Sequence, residues 1–465
     1  MLPVLTRDEM RAADAAALST VSEDTLVARA GTAVGHAALR ILRGGYGRHV
    51  TVIVGKGNNG ADGRVAAAFL SQRGVRVTLM AAHDVPAALP RVDLVIDGAY
   101  GTGFRGAYDA PLVPPGVPVL SIDIPSGVDA DTGEAPGAAF RASHTVTFAA
   151  YKTGLLQGAG PSHTGVVEVV DIGIGVDTSG AVMIEDADIG TSLPPRPRQS
   201  NKWSTALGVA AGSIGMEGSA ILCTRGALAA GAGMIRLGTP GNPAGNWPTE
   251  AVRVGLADPH WAVPFLEATV KCKAMVVGPG LGTGEVAQEQ IRGVIVAAPH
   301  PLVIDADGIT ALGDVVSART LLAQRTHATI LTPHDGEYAR LAGSPPGDDR
   351  LATARDLAHA VGAIVLLKGP LTAVAAPQET ISGGAAPDVL LVGAGVPALA
   401  TAGTGDVLSG IIGGFLARGV PAHLAAALAA HVHGRAAARG RSEGLVAGDL
   451  PELVAKVLSE ARGDG

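Results

Sequence analysis

Short apolar runs alternate with amphipathic stretches along most of this chain. Thr6, with Glu9 three residues on, forms the pairing of a capping box and predicts a helix through Leu18. Between Thr25 and Leu42, the apolar residues Leu26, Ala30, Val34, Ala37 and Ile41 share one face of a second helix. The β-branched run from His49 to Gly55 predicts a strand. It leads into the glycine loop Gly55-Lys56-Gly57-Asn58-Asn59-Gly60-Ala61-Asp62-Gly63, after which a helix is expected from Arg64 to Arg73. Further strands are expected at Val75 to Met80, Asp93 to Gly98, Val117 to Ile124, Thr145 to Ala150 and Val166 to Ile172. Their apolar residues are consecutive rather than alternating, as in a parallel sheet covered on both faces.

The proline-rich, polar stretch from Ser192 to Ser200 lacks periodicity and marks a domain boundary, giving domains at 1–192 and 200–465. Beyond it the pattern resumes with a strand at Leu207 to Gly212, a helix at Ser219 to Ala230 and a strand at Met234 to Gly238. Runs at Ala274 to Val277, Pro301 to Ile304, Thr329 to Leu331 and Ile364 to Leu367 each end in small or polar residues. Both halves read as layered α/β domains.

Composition sharpens this picture. There are 65 glycines in 465 residues, about twice the usual share, while charged residues make up 17% against a customary figure of about 25%. With 47% hydrophobic residues the chain can bury its cores, so the glycines are assigned to tight turns at strand ends. The 35 basic and 42 acidic residues give a net charge of −7 without a block of like charge, which argues against nucleic acid or a membrane as partner. No run approaches the ~18 apolar residues of a membrane span, and the first residues lack the pattern of a secretory signal, so a cytoplasmic protein is expected. Cys223 and Cys272 lack metal-ligand spacing and read as small buried apolar residues. Low charge and many small residues allow packed subunits, and a homo-oligomer is expected.

Polar residues gather at three strand ends of the first half: Asn58, Asn59 and Asp62; Asp97; and Asp123 with Ser126. Ligands of parallel sheets bind at such ends. An amide oxygen, a carboxylate and a hydroxyl together are hard donors, suited to an alkali or alkaline-earth cation. The segments Gly-Asn-Asn-Gly-Ala-Asp-Gly from Gly57, Asp97 to Ala107, and Ser-Ile-Asp-Ile-Pro-Ser-Gly-Val-Asp from Ser121 resemble the NAD(P)H-hydrate epimerase family over about residues 1–190. That resemblance implies an N-terminal Rossmann-like three-layer αβα domain. It also implies substrate loops formed by Asn58, Asn59, Gly60, Ala61 and Asp62 and by Gly101, Thr102, Gly103, Phe104, Arg105, Gly106 and Ala107. Potassium would be held by Asn59, Asp97 and Ser126, and Asp123 would touch substrate as the acid/base. Ala61 stands where the family usually has glycine.

In the second half, Ala402 to Leu416 reads as a glycine turn feeding a helix whose first charged residue is Asp406. The amides of Gly403 to Gly405 would face the space before that helix, where its dipole also favours an anion. Lys368 ends an apolar strand and is either a point charge for phosphate or an ordinary strand-end lysine. Asp305 and Asp307 suit magnesium or a helix cap, and the sequence leaves that open. The segments Gly-Pro-Gly-Leu-Gly from Gly278, Asp-Ala-Asp from Asp305, Thr-Pro-His-Asp-Gly-Glu from Thr332, Leu-Lys-Gly from Leu367 and Ala-Gly-Thr-Gly-Asp from Ala402 resemble the ADP-dependent NAD(P)H-hydrate dehydratase family over about residues 200–455.

This second resemblance implies a ribokinase-like α/β domain, with ADP as co-substrate and magnesium accompanying the nucleotide. Nucleotide contacts would come from Lys368, Gly369, Pro370, Leu371, Thr372 and Gly405, and hydrate contacts from Gly280, His334 and Asp406. The chain departs from the family at Asn201-Lys202-Trp203 in place of His-Lys-Gly, at Asp335 in place of a frequent proline and at Ala402 in place of a frequent glycine. None of these removes a residue with an assigned role, though Trp203 could alter the entry to the site. The two resemblances together imply repair of hydrated NADH and NADPH. One half would interconvert the R and S epimers at C6, and the other would dehydrate the S form with ADP, giving AMP and phosphate. The alternative is a ribokinase-like small-alcohol (vitamin precursor) kinase with an N-terminal nucleotide-binding regulatory module.

Overall fold

A computed structural model describes residues 1–176, 179–257, 259–377 and 387–463. They form two compact units, Leu2–Ala181 and Val182–Gly465, the second including Met1. Among the described residues no helix is long and apolar enough to cross a membrane. Cys223 and Cys272 are both buried and free.

In the first unit, six parallel strands lie side by side in the order Arg76–Ala81, His49–Val54, Leu94–Gly98, Val119–Ile122, His144–Phe148 and Val166–Val170. Successive side chains point to opposite faces. Val52, Val54, Ile96, Leu120 and Ile122 therefore face one core, shared with the helices Glu23–Leu42 and Asn58–Ser71, whereas Ile53, Val95 and Val119 face a second core with Leu89 and Phe140. The order reverses between His49–Val54 and Leu94–Gly98, the kind of crevice in which doubly wound sheets bind ligands.

The helix after the first of these strands begins at Asn58, six residues before the position expected from its apolar pattern. Close packing explains the difference. A Cβ on Gly60 would overlap the carbonyl oxygen of Gly55, so only glycine lets the first helical turn press against the strand end. The loop shrinks to Gly55–Gly57. Ala61 lies in the first turn with its N–H donated to the Gly57 carbonyl at 3.1 Å, where a methyl group needs no special backbone.

The second unit carries seven parallel strands, in the order Ala251–Val254, Met234–Gly238, Ala206–Ala210, Ala274–Val277, Leu302–Ile304, Thr329–Leu331 and Ile364–Leu367. Thr372–Ala375 and Val389–Val392 continue the sheet antiparallel. These two strands and Ala251–Val254 had no counterpart in the sequence reading; each is only four residues long. The order reverses between Ala206–Ala210 and Ala274–Val277, again leaving a crevice at the strand ends.

Not all glycines serve turns. Gly226 of the helix Glu217–Ala229 backs onto Val407, while Gly410 and Gly414 of the helix Thr404–Ala417 back onto Cys223 and onto Ala227 and Ala230, which brings the two helix backbones together. Trp203 packs against Ala206, Met234 and Cys272, at the starts of the strands. That is the opposite end of the sheet from Asp406, so Trp203 does not line the approach to the site.

Candidate active sites

The ends of the first unit's strands open into a cavity of about 840 Å³ lined by Asn58, Asn59, Asp62, Gly101 to Arg105, Asp123 and Lys152. Asp123 holds a left-handed backbone, with φ of 65°. For a residue with a Cβ this is a strained conformation of the kind found at functional sites. Its Oδ1 lies 2.6 Å from Lys152 Nζ and accepts from Thr147 Oγ1 at 3.1 Å. Lys152 is fully buried and spends its other donors on Thr147 Oγ1 at 2.8 Å and the Phe148 carbonyl at 2.9 Å. It is set there by the short strand Tyr151–Lys152, which pairs parallel with Leu2–Leu5.

Asp62 projects into the same cavity from the first turns of its helix. Burial, with Asp123 as a second contributor, pushes its carboxyl up to about 8, so it carries a proton at neutral pH. Asp14 is raised as well, by burial and by Asp123 against the opposing pull of Lys152. Asp123 thus pairs directly with the Lys152 ammonium, Asp14 feels the charges of both, and Asp62 feels that of Asp123. Beside them, Arg7 donates from Nε to the Thr102 carbonyl at 2.7 Å and pairs with Asp129 at 2.7 Å, pinning the loop that begins at Gly101.

Asn59, Asp97 and Ser126 come from three chain segments and meet in one network. Asn59 Nδ2 donates to the carbonyls of Tyr100 at 2.9 Å and Ile122 at 2.8 Å. Asp97 accepts from Ser126 Oγ at 2.6 Å, Ser126 N at 2.8 Å and Ser121 Oγ at 2.9 Å. All three donors are neutral, and burial raises the Asp97 carboxyl more than these bonds lower it. A buried carboxyl without a cationic partner among hard oxygen atoms is the chemistry that a bound cation would complete.

In the second unit, Gly403 at φ 86° starts the helix Thr404–Ala417, and Asp406 lies in its first turn. Burial, then the charge of Asp305, pushes Asp406 up to about 6, against a hydrogen bond from Ser219 and the attraction of Lys368. Asp305 is buried and accepts from Thr332 Oγ1 at 2.7 Å, Lys368 Nζ at 3.0 Å and Ser409 Oγ at 2.7 Å. Burial works against both charges of the Asp305–Lys368 pair, but their mutual attraction and these bonds outweigh it and keep both ionised. Lys368 Nζ also lies 3.6 Å from Glu337. A Cβ on Gly405 would stand 3.7 Å from Lys368 Nζ, so the ammonium and the helix start border the same space.

Of the other expected residues, Gly280 adjoins this space. Gly280, at φ 65°, backs onto Ser219, the residue bonded to Asp406. His334 is a helix cap: its Nδ1 accepts from the N–H groups of Gly336 at 2.9 Å and Glu337 at 3.2 Å, while the imidazole stays more than half exposed. Asp307 accepts from Gly282 N at 2.8 Å and so braces the Gly278–Gly282 turn. Among the described residues, no group of three or more His, Cys, Asp or Glu side chains is placed to hold a metal ion.

Comparison with known proteins settles the family. Residues 207–460 match the family model described as NAD(P)H-hydrate dehydratase, and residues 23–87 and 80–154 match that of the YjeF-related protein N-terminus. Over 458 residues the chain is 38% identical to the bifunctional NAD(P)H-hydrate repair enzyme Nnr of Mycobacterium tuberculosis, covering 90% of each. The chain belongs to the bifunctional NAD(P)H-hydrate repair enzymes. The Escherichia coli K12 member is 32% identical over 501 residues, covering 97% of this chain and 92% of its own. A ribokinase-like superfamily protein of Enterococcus faecalis V583 shares the fold of the second unit, with a TM-score of 0.52 at 23% identity over 61% of this chain and 96% of its own. Because the likeness to repair enzymes runs through both halves, the reading as a kinase with a regulatory module is set aside.

Of the residues expected from sequence, Asn58, Asn59, Asp62, Gly101 to Arg105 and Asp123 line the cavity of the first unit, whereas Gly60, Ala61, Gly106 and Ala107 do not. Sequence reasoning passed over Lys152, Asp14, Ser219 and Ser409. A signal existed for one of them: lysine occurs only seven times in 465 residues, and Lys152 follows an apolar strand run just as Lys368 does. The serines carry no such mark, because a serine's partner is decided by packing.

Proposed function

We propose that this chain repairs hydrated NADH and NADPH, with epimerisation assigned to residues 1–192 and ADP-dependent dehydration to residues 200–465. The observation that carries the proposal is Asp406, a carboxyl tuned to about 6 by burial and Asp305, in the first turn of a glycine-started helix beside the Lys368 ammonium. Such a group is a base at neutral pH, next to a place for phosphate. Asp406 takes the proton of the C6 hydroxyl as that oxygen attacks the terminal phosphorus of ADP, and AMP leaves. The amides of Gly403 to Gly405 and the Lys368 ammonium stabilise charge on the phosphoryl group in transit. The ring nitrogen then expels phosphate, and loss of the C5 proton restores the dihydronicotinamide. Gly280 and His334 border the hydrate, and Lys368 to Thr372 with Gly405 border the nucleotide. Magnesium accompanies the nucleotide, whose phosphates supply the hard oxygen ligands it prefers.

In the first unit, inversion at C6 requires a ring bond to open and close on the other face while a proton leaves the hydroxyl and returns. Asp123, fixed against Lys152, takes that proton on opening and returns it on closure, while Asp62, protonated at neutral pH, gives one to the ring nitrogen as the bond opens and takes it back as the bond re-forms. The oxygen set of Asn59, Asp97 and Ser126 fits potassium, which would order the loops of the cavity. We infer a cytoplasmic enzyme and a homo-oligomer.

The test presents an epimer mixture of hydrated NADH with ADP or ATP, with potassium present or replaced by lithium. Both epimers, NADH absorbance and free phosphate are then followed. The proposal expects both epimers to disappear with one phosphate released per NADH formed, and R-epimer consumption to slow without potassium. A phosphorylated organic product accumulating in place of free phosphate would overturn it.

A further inference from the structure

Arg350 opens the helix Arg350–Val361 in the second unit and stands outside the residues that touch either substrate in the reading above. Its guanidinium donates from Nη2 to the Lys368 carbonyl at 2.7 Å and from Nε to the Leu371 carbonyl at 3.1 Å. Nη1 and Nη2 both reach Asp335 Oδ1 at 3.1 Å. The turn from Lys368 to Leu371 is thus wrapped around one planar cation. Gly369 belongs to this arrangement as well: a Cβ there would come within 2.5 Å of Nη2 and 2.7 Å of Cζ. Since the guanidinium is held at several points, it cannot swing away without losing those bonds.

The consequence reaches the site through Lys368. Its N–H is donated to the Pro333 carbonyl at 2.9 Å, its carbonyl is held by Arg350, and its ammonium is held by Asp305. The backbone of this residue is therefore fixed from both sides, and the turn that follows it is fixed again at Leu371. Asp335 begins the helix Asp335–Ala342 immediately after His334, so one guanidinium joins the segment bearing His334 to the turn beginning at Lys368. A proline at position 335 would have no side-chain acceptor, so replacing Asp335 by proline removes this second anchor.

We infer that Arg350 is a positioning residue that sets the Lys368–Leu371 turn for nucleotide binding, with Asp335 orienting its guanidinium. The inference rests on reading that turn as the nucleotide loop. Arg350 touches neither reacting group, so its loss acts on the nucleotide first. Asp335 is more than half exposed, and an ion pair in that setting contributes little. The two carbonyl bonds dominate.

The full-length enzyme is tested as Arg350→Met, Arg350→Lys and Asp335→Pro, with ADP affinity measured by calorimetry and initial rates measured on the S epimer. For Arg350→Met, both the ADP dissociation constant and KM for ADP should rise about tenfold, with kcat at saturating ADP and KM for the hydrate changed much less. Arg350→Lys should recover part of the loss, since its ammonium can reach one carbonyl, and Asp335→Pro should show a smaller rise than Arg350→Met. If Arg350→Met does not fold, Arg350→Gln, whose amide can reach one of the two carbonyls, should raise KM for ADP by a smaller factor with kcat changed much less. An unchanged ADP dissociation constant in a folded Arg350→Met or Arg350→Gln protein would overturn the inference. Equal losses in kcat and in both KM values would also overturn it, as the mark of general damage. Failure of the repair reading itself looks different: the wild-type enzyme would then bind ADP yet release no phosphate from the hydrate.

Discussion

At Asp406, burial and the Asp305 charge place the pKa at about 6, well above the ordinary carboxylate value of 3.8. A base works in its ionised form, so dehydration at limiting hydrate should hold steady above about pH 6 and fall about tenfold per unit below it. Asp406→Asn should lower the ADP-dependent rate by at least about 10²-fold and remove that inflection. Asp62 titrates under the opposite demand. Its carboxyl is raised from 3.8 to about 8, so between those values the folded protein holds a proton that the unfolded chain has released. Stability therefore falls as pH rises through this window, and the loss is complete above about 8. Denaturant midpoints at about pH 5 and about pH 9 should differ less for Asp62→Asn than for wild type, whose epimerisation rate should also exceed that of the variant. A variant with wild-type epimerisation would remove Asp62 from the proton path.

The helix pair Glu217–Ala229 and Thr404–Ala417 carries Ser219 and Asp406 at facing positions because glycines let the two backbones approach. Interaxial distance is set by the side chains at the contact, and here the contact has almost none. A Cβ at Gly410 would overlap the Cys223 carbonyl oxygen and lie 2.8 Å from Ala227 N, both backbone atoms that cannot rotate aside. Gly410→Ala should cost about 1–3 kcal/mol of stability in the second unit. Its melting should move down while epimerisation at room temperature stays intact, and an unchanged melting curve would show that the helices can part without cost. The unusually high glycine content thus has two origins, turns at strand ends and helices in close contact, and only the first shows in a run such as Gly-Thr-Gly-Asp. The helix Asn58–Ser71 teaches the same lesson, since its start was hidden by glycines that normally signal a loop.

For the whole molecule, each compact unit carries its own sheet, its own switch in strand order and its own set of acidic residues. The two chemistries should therefore separate by mutation. Asp123→Ala should abolish exchange of the epimers on a chiral column yet leave dehydration of the purified S form unaltered, and Asp406→Asn should do the reverse. With an epimer mixture, Asp123→Ala should convert only the S fraction quickly, the rest following at the spontaneous rate. Loss of both activities in either variant would point to a shared site in place of two.

Periodicity and strand-end chemistry are local, and so the sequence alone established two parallel α/β domains and drew attention to the polar residues at their strand ends. Consecutive β-branched runs can be buried on both faces only in such a sheet, and the polar residues left at the strand ends have nowhere to point except the crevice. What those residues do to one another is not local. Lys368 and Asp305 are 63 residues apart and Ser409 and Asp305 are 104 apart, and their meeting depends on strand order and helix packing that no spacing encodes. The same holds for Lys152 against Asp123 and for Arg350 around the Lys368 turn. The motifs named the groups, and the tertiary structure decided their charges, because burial and opposing ions exist only once the chain has folded.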